Sequence, residues 1–324
     1  MRGYIIIAIG LLMFSCSGND EKSGSEQQEE VKGLEPQVVS LLGITYYEPV
    51  RAPEVQEKLE KDLEEARQNF EENPSEMNYI WYGRRTAYLS RYKEAIEIYT
   101  QGLDKYPESY RLLRHRGHRY ISLREFDQAI EDLEMAASLM PKDTLETEPD
   151  GMPNRLNQPL SSTQFNVWYH LGLAYYLQGE FKKAKQVYDL CLLTSVNNDL
   201  LCATADWKYM THRRLDESKK ADALLEKIAP DIEVIENQAY LNRLMMYKGT
   251  IEPQELLEVS NENQDPELTM ATQGYGVGNY YLYNGDTTRA VEVFKQVIKG
   301  DYWSAFGFIA AEAELARMES GNEQ

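Results

Sequence analysis

Apolar residues follow three patterns along the chain. Tyr4 to Phe14 is an unbroken apolar run, YIIIAIGLLMF, of 11 residues. A bilayer-spanning helix needs about 20 such residues, so the run has the length of a signal-peptide core. Next, Val55, Leu59, Leu63, Ala66 and Phe70 recur every three or four positions, which predicts an amphipathic helix over Pro53 to Glu72. From Glu76 onward, pairs of helical patterns alternate with short breaks. Between the first two patterns, Ser17 to Gln37 is Ser, Gly, Glu, Gln and Lys with few apolar residues. Such a segment cannot bury enough surface to offset its ordering entropy, so 16–37 reads as a solvated acidic tether. Strand-forming residues cluster only at Gln37 to Tyr47 (QVVSLLGITYY), an extended segment that precedes the leading helix within 38–75.

The helical part repeats itself. Gly83 and Gly117, Ala95 and Ala129, and Pro107 and Pro141 each stand 34 apart, and YKEAIEIYTQGLDKYP aligns with FDQAIEDLEMAASLMP. Small residues at the first two positions let paired helices approach closely. Proline at the third ends a helix, because it lacks an N–H and its ring clashes with the preceding turn. The pattern resembles the tetratricopeptide repeat, a 34-residue helix–turn–helix. The resemblance implies an all-α fold, a right-handed α-solenoid with one continuous elongated core. Repeats one and two would fill 76–143, three and four 165–232, and five and six 233–304. A capping helix and tail would follow at 305–324. Asp206 stands where the fourth unit should have a small residue, so looser packing is expected there. Pro253 would start the second helix of the fifth unit, and Ala271 would open the sixth.

The amino terminus carries an address. Residues 1–15 end in Phe14-Ser15 before Cys16, and a polar stretch follows. A small residue before a lone cysteine at the end of an apolar run resembles the bacterial lipobox. That implies cleavage before Cys16 and lipidation of Cys16. A secretory signal with an incidental cysteine, or a single-pass anchor, are the alternatives. Ser17 after the cysteine implies, by resemblance to Gram-negative sorting signals, the outer membrane, with the periplasmic or surface face open. Taken whole, the chain resembles Bacteroidota-like lipoproteins of a tetratricopeptide family to which no activity attaches.

The repeat is interrupted once. Residues 144–164, TLETEPDGMPNRLNQPLSSTQ, separate the second unit from the third. Pro149, Pro153 and Pro159 disfavour helix, and Asp150-Gly151 marks a turn. Long loops in compact arrays are usually functional or disordered. This one is either a tolerated insertion or a flap over a groove, helped by Asn154, Arg155 and Asn157.

Charge sharpens the picture. The 324-residue chain has 34 Lys+Arg against 53 Asp+Glu, a net charge of −19, which argues against phosphate-driven nucleic-acid binding. Yet Glu76 to Arg124 holds ten Lys+Arg and five acids. By tetratricopeptide geometry, the positions on the concave side include Arg84, Arg111, Arg114, His118, Tyr169 and Trp207, with His115 and His170 beside them. The expectation is a basic, aromatic groove for a protein or peptide partner or another anionic ligand. Arginine clusters suit carboxylates through bidentate hydrogen bonds. The alternative is that these arginines balance nearby acids such as Glu94, Glu97, Asp104 and Glu108.

Candidate chemistry is sparse. His115, His118 and His170 could approach one another, but the surrounding arginines would repel a metal, so neither metal nor cofactor is expected. The run Gly274, Gly276, Gly278 follows no strand, and Gly278 already fits the repeat, so it is no phosphate loop. Cys191 and Cys202 read as buried thiols, with a disulfide open only if their Cα atoms lie within about 7 Å. The expected function is a non-enzymatic scaffold lipoprotein of the cell envelope, anchored by lipid. Two alternatives stand. One is an enzyme or small-molecule site under 144–164 that uses His115, His118 or His170 with Asp150. The other is a nutrient-capture lipoprotein.

Overall fold

The computed structural model describes residues 35–258 and 266–322; Cys16, the apolar amino-terminal run and most of the acidic tether lie outside the described residues. Among the described residues no helix is long and apolar enough to cross a membrane. The end of the tether is already packed. Gln37 is buried, and its Oε1 accepts a hydrogen bond from the Tyr92 amide at 3.0 Å. The extended segment is a small hairpin. Strand β1 (Val38–Val39) pairs antiparallel with β2 (Thr45–Tyr46), Val38 opposite Tyr46. Gly43, at φ 77°, supplies the left-handed residue that its tight turn requires.

Helix α1 covers Pro53–Glu72, with proline in its first turn, where no N–H is needed. Four helical hairpins follow: α2 (Glu76–Tyr88) with α3 (Tyr92–Lys105), α4 (Tyr110–Ser122) with α5 (Phe126–Leu139), α6 (Thr163–Leu177) with α7 (Phe181–Thr194), and α8 (Asn198–Arg214) with α9 (Ser218–Leu225). The first helix of each hairpin also packs on the first helix of the next, so α2, α4, α6 and α8 form an inner row. Each inner helix starts on a capping side chain. Ser75, Ser109, Ser162 and Asn197 accept from amides three residues on, at 3.0–3.3 Å. The periodic alanines 95, 129, 184, 221 and 290 are all fully buried. The glycines of the inner helices have an equally direct cause: a Cβ on Gly83 would lie 2.3 Å from Tyr99, and one on Gly172 would lie 2.7 Å from Tyr188.

The later repeats depart from the expected pattern. Asp206 does not loosen the fourth unit. It is fully buried, pairs with Arg243 at 2.7 Å and accepts from Tyr247 Oη, so an ion pair replaces the small contact. After α10 (Gln238–Tyr247), Pro253–Leu256 forms one 3₁₀ turn and not a second helix. Ala271 lies in a wide π turn, Met270–Gly274, between the short α11 (Pro266–Thr269) and α12 (Tyr275–Tyr283). Helix α13 is Thr287–Val297.

The carboxy-terminal helix α14 (Phe306–Asn322) is the largest departure. A terminal cap should keep one polar face outward. Here Phe308 through Leu315 are all buried, Glu312 and Glu314 included. A helix apolar on every side belongs inside. Helix α14 lies across the inner row. Glu312 pairs with Arg124, in the turn between α4 and α5, at 2.8 Å. Glu314 pairs with Arg214 at the end of α8, and Arg317 donates to the Leu177 carbonyl of α6 at 2.7 Å. The amino-terminal hairpin closes over it: the Leu41 amide donates to Glu312 at 2.8 Å, and Tyr46 stacks on Trp303 at 5.8 Å. The fold is all-α, a solenoid-like row of helical hairpins as expected, with one addition. Its last helix returns to fill its own interior.

Candidate functional site

The predicted groove residues sit on the inner row, and the chain covers them with its own segments. Over α2 and α4 lies the start of residues 144–164, which form a strap. Its two ends pair antiparallel. Thr147 bridges Ser162, the Glu148 amide donates to the Ser161 carbonyl at 3.0 Å, and the Thr163 amide donates to the Glu146 carbonyl at 2.8 Å. The alternating acids that follow reach the inner arginines. Glu146 accepts from Arg111 Nε and Nη2, both at 2.6 Å, and from Tyr110 Oη at 2.5 Å. These hydrogen bonds from Arg111 hold the Glu146 carboxyl below the usual carboxylate range. Glu148 pairs with Arg114 at 2.9 Å, and both side chains are about nine-tenths buried. Arg84 donates to the Pro149 carbonyl at 2.8 Å, and Arg85 to the Gly151 carbonyl at 3.2 Å. Gly151 passes so close to Tyr88 Oη that any Cβ would collide with it.

The histidines lie deeper. Arg114 Nη1 donates to His115 Nδ1 at 2.9 Å, which leaves Nε2 facing Glu148 at 3.9 Å. His170 Nδ1 donates to the Asn166 carbonyl at 2.5 Å. His118 and His170 lie ring against ring, centroids 4.2 Å apart, and Phe306 abuts both. Burial, then the charge of Arg114, pushes His115 and His170 well below the ordinary imidazole value; burial, then Arg119, does the same for His118. Three neutral, packed imidazoles suit a core and not a general base working near neutrality. Among the described residues, no group of three or more His, Cys, Asp or Glu side chains could hold a metal.

Tyr169 and Trp207 are buried as well, not displayed. Trp207 Nε1 donates to Tyr169 Oη at 2.8 Å, which meets Tyr240 Oη at 2.7 Å, and Trp207 stacks on Tyr275 at 5.7 Å. Packing against Tyr240 and Tyr275 turns these expected groove aromatics into core. Cys191 and Cys202 are free and buried, and burial raises both thiols to about 12.

The structure thus gathers Arg84, Arg111, Arg114 and His115 under the strap, and His118, Tyr169 and His170 around Phe306, with Trp207 beyond. Sequence reasoning missed Glu146, Glu148, Phe306 and Glu312. The signal for the first two is the alternation Glu146, Glu148, Asp150. An extended segment puts such residues on one side, within reach of arginines three apart on a helix. The strap's own acids cover these arginines.

Residues 165–194 match the tetratricopeptide repeat family model. That span is helices α6 and α7. No curated protein matches the chain. Solved structures with similar folds include YrrB, titled a TPR protein with an unusual peptide-binding site. It is 15% identical, over 77% of this chain and 97% of that one, with a TM-score of 0.39. A tetratricopeptide repeat protein from Parabacteroides merdae is 16% identical, over 79% and 93%, with a TM-score of 0.46. MamA is 14% identical, over 59% and 92%, with a TM-score of 0.41. Identities this low speak to neither partner nor activity.

Proposed function

We propose that this chain is a non-enzymatic interaction scaffold, held at the bacterial envelope through a lipid on Cys16, with the outer membrane as its address. Its basic inner face, centred on Arg84, Arg111 and Arg114, receives a protein or peptide segment. One observation carries the reading: an extended acidic segment already lies on that face, held by paired arginine–carboxylate contacts. Arginine forks of this kind recognise carboxylates with both geometry and charge. The packed, neutral histidines favour no catalytic role, and no cofactor enters the account. The lipid anchor rests on the apolar run that ends at Cys16. Several acyl chains would hold it stably, at about 0.8 kcal/mol for each buried CH₂.

The test is affinity purification from membranes with wild type and an Arg84→Glu/Arg111→Glu variant. Neither side chain is fully buried, so the variant should fold. Partners captured by wild type and lost by the variant support the reading. Identical partner sets remove the groove from it. In the same cells, Cys16→Ser should move the protein from the membrane to the soluble fraction, and unchanged fractionation would rule out the lipid anchor.

A further inference from the structure

The strap does more than cover the inner face. We infer that it is a built-in pseudo-ligand, and that the partner of this face is an extended segment with carboxylates at alternate positions. This rests on the groove reading above and adds the pattern that the groove reads. Three observations carry it.

The first is register. Glu146, Glu148 and Asp150 alternate, as the near side of an extended chain must. Glu146 takes a two-pronged contact from Arg111 and Glu148 an ion pair from Arg114, one helical turn further along α4. Arg84 and Arg85, from α2, hold the backbone carbonyls of Pro149 and Gly151. Side chains are thus read by one helix and main chain by the next. A segment with the same alternation could make every one of these contacts from another molecule.

The second is incomplete satisfaction. Among the described residues, Arg114 Nε, Glu148 Oε2 and Asp150 Oδ2 are buried without a hydrogen-bond partner. Buried polar groups are normally paired, and each exception asks for an explanation. A seat that leaves three charged-group atoms unmatched is held less tightly than its charges allow. A better-matched segment can displace it.

The third is the cost of release. The neck of the strap is fixed by its own main-chain pairing at Thr147–Ser162. Met152 and Leu156 beyond it are exposed. Lifting Glu146 and Glu148 off the arginines costs the two main-chain bonds of this neck, Glu148 to Ser161 and Thr163 to Glu146, while Pro149 and Gly151 are held through their carbonyls by Arg84 and Arg85. A tethered competitor acts at an effective concentration of roughly millimolar, so binding from another molecule to wild type should be weak.

The experiment uses the full chain and a fluorescent synthetic peptide with the sequence of residues 144–151, TLETEPDG, followed by polarisation. A control peptide has Gln and Asn in place of the acids. The Glu146→Gln/Glu148→Gln variant should bind the acidic peptide at least tenfold more tightly than wild type. It should ignore the neutral peptide and lose binding again when Arg111→Glu is added. Glu148 is buried, so Glu146→Gln alone, at a half-exposed site, serves as the milder variant, with a gain of about threefold. The inference is overturned if neither variant gains affinity, or if the neutral peptide binds as well as the acidic one. If it fails while Arg84→Glu/Arg111→Glu still loses a membrane partner, the alternating pattern is wrong and the groove stands. If both fail, the groove itself is wrong.

Discussion

Glu312→Ala should be among the most damaging substitutions in the chain. Glu312 and Arg124 meet at 2.8 Å, with side-chain exposures of 1% and 2%. Glu312 also receives the Leu41 amide, so it ties together α14, the turn between α4 and α5, and the amino-terminal hairpin. Arg124 has further bonds to the Ser122 and Trp303 carbonyls, and it sits at φ 63°, a backbone region costly for a side-chain-bearing residue. Removing the carboxylate strands a buried guanidinium and an amide. Breaking a buried pair from one side costs about 3–5 kcal/mol. With a urea slope of roughly 3 kcal/mol per molar, the top of the usual range, the unfolding midpoint should fall by about 1 M or more. Urea melts read by far-UV circular dichroism and tryptophan fluorescence measure this, with coincident curves as the two-state check. The Arg124→Leu/Glu312→Leu double variant should recover most of the loss, because apolar replacement of a buried pair is often neutral. A single-variant loss under about 1 kcal/mol, or a double variant as damaged as the singles combined, would refute the buried-pair reasoning.

Other consequences follow from the same structure. Gly83→Ala places a Cβ 2.3 Å from fully buried Tyr99; it should cost about 1–3 kcal/mol in the same urea assay, and a neutral result would contradict the close packing. The folded-state pKa values of His115, His118 and His170 lie below 6.5. The unfolded chain therefore binds more protons below about pH 6.5, so their stabilisation is complete above that pH and lost as pH falls. The slope is up to about 1.4 kcal/mol per pH unit for each histidine. Urea midpoints at pH 7.5, 6.5 and 5.5 should drop in order and drop less in His115→Gln/His170→Gln; a midpoint that rises on acidification would be the contrary result. Cys191 and Cys202, whose thiols are raised to about 12 by burial, should resist iodoacetamide at pH 8 in the folded protein and react once urea unfolds it. Rapid native labelling, read by mass spectrometry, would mean that this region opens.

The helical array was legible because each unit obeys a local rule. Gly83, Gly117 and Gly172 are small where two helices touch, Ala95 and Ala129 are buried, and Ser75 and Ser109 cap helices 34 residues apart. The interior filling was not, because it depends on contacts between distant parts of the chain. The run FGFIAAEAELA carries its own warning, apolar on every face with two acids, but only Arg124 and Arg214 explain why those acids are tolerated inside. The arginines of α4 were visible as a basic patch, while their partners lay in a segment that repeat geometry leaves out. Asp206 misled for a similar reason. Its salt-bridge partner Arg243 is 37 residues away, in a unit too degenerate to align.

Amide hydrogen exchange over α14 and the strap tests the central claim, that this array fills its inner face with its own chain. A terminal cap frays and exchanges early, whereas a helix buried on all sides exchanges only with large-scale opening. Peptides covering residues 308–315 should rank among the slowest in the protein, as slow as those from α6. Peptides covering 146–150 should be protected in wild type and lose part of that protection in Arg111→Glu. Fast exchange at 308–315, or a strap whose exchange ignores Arg111, would contradict it.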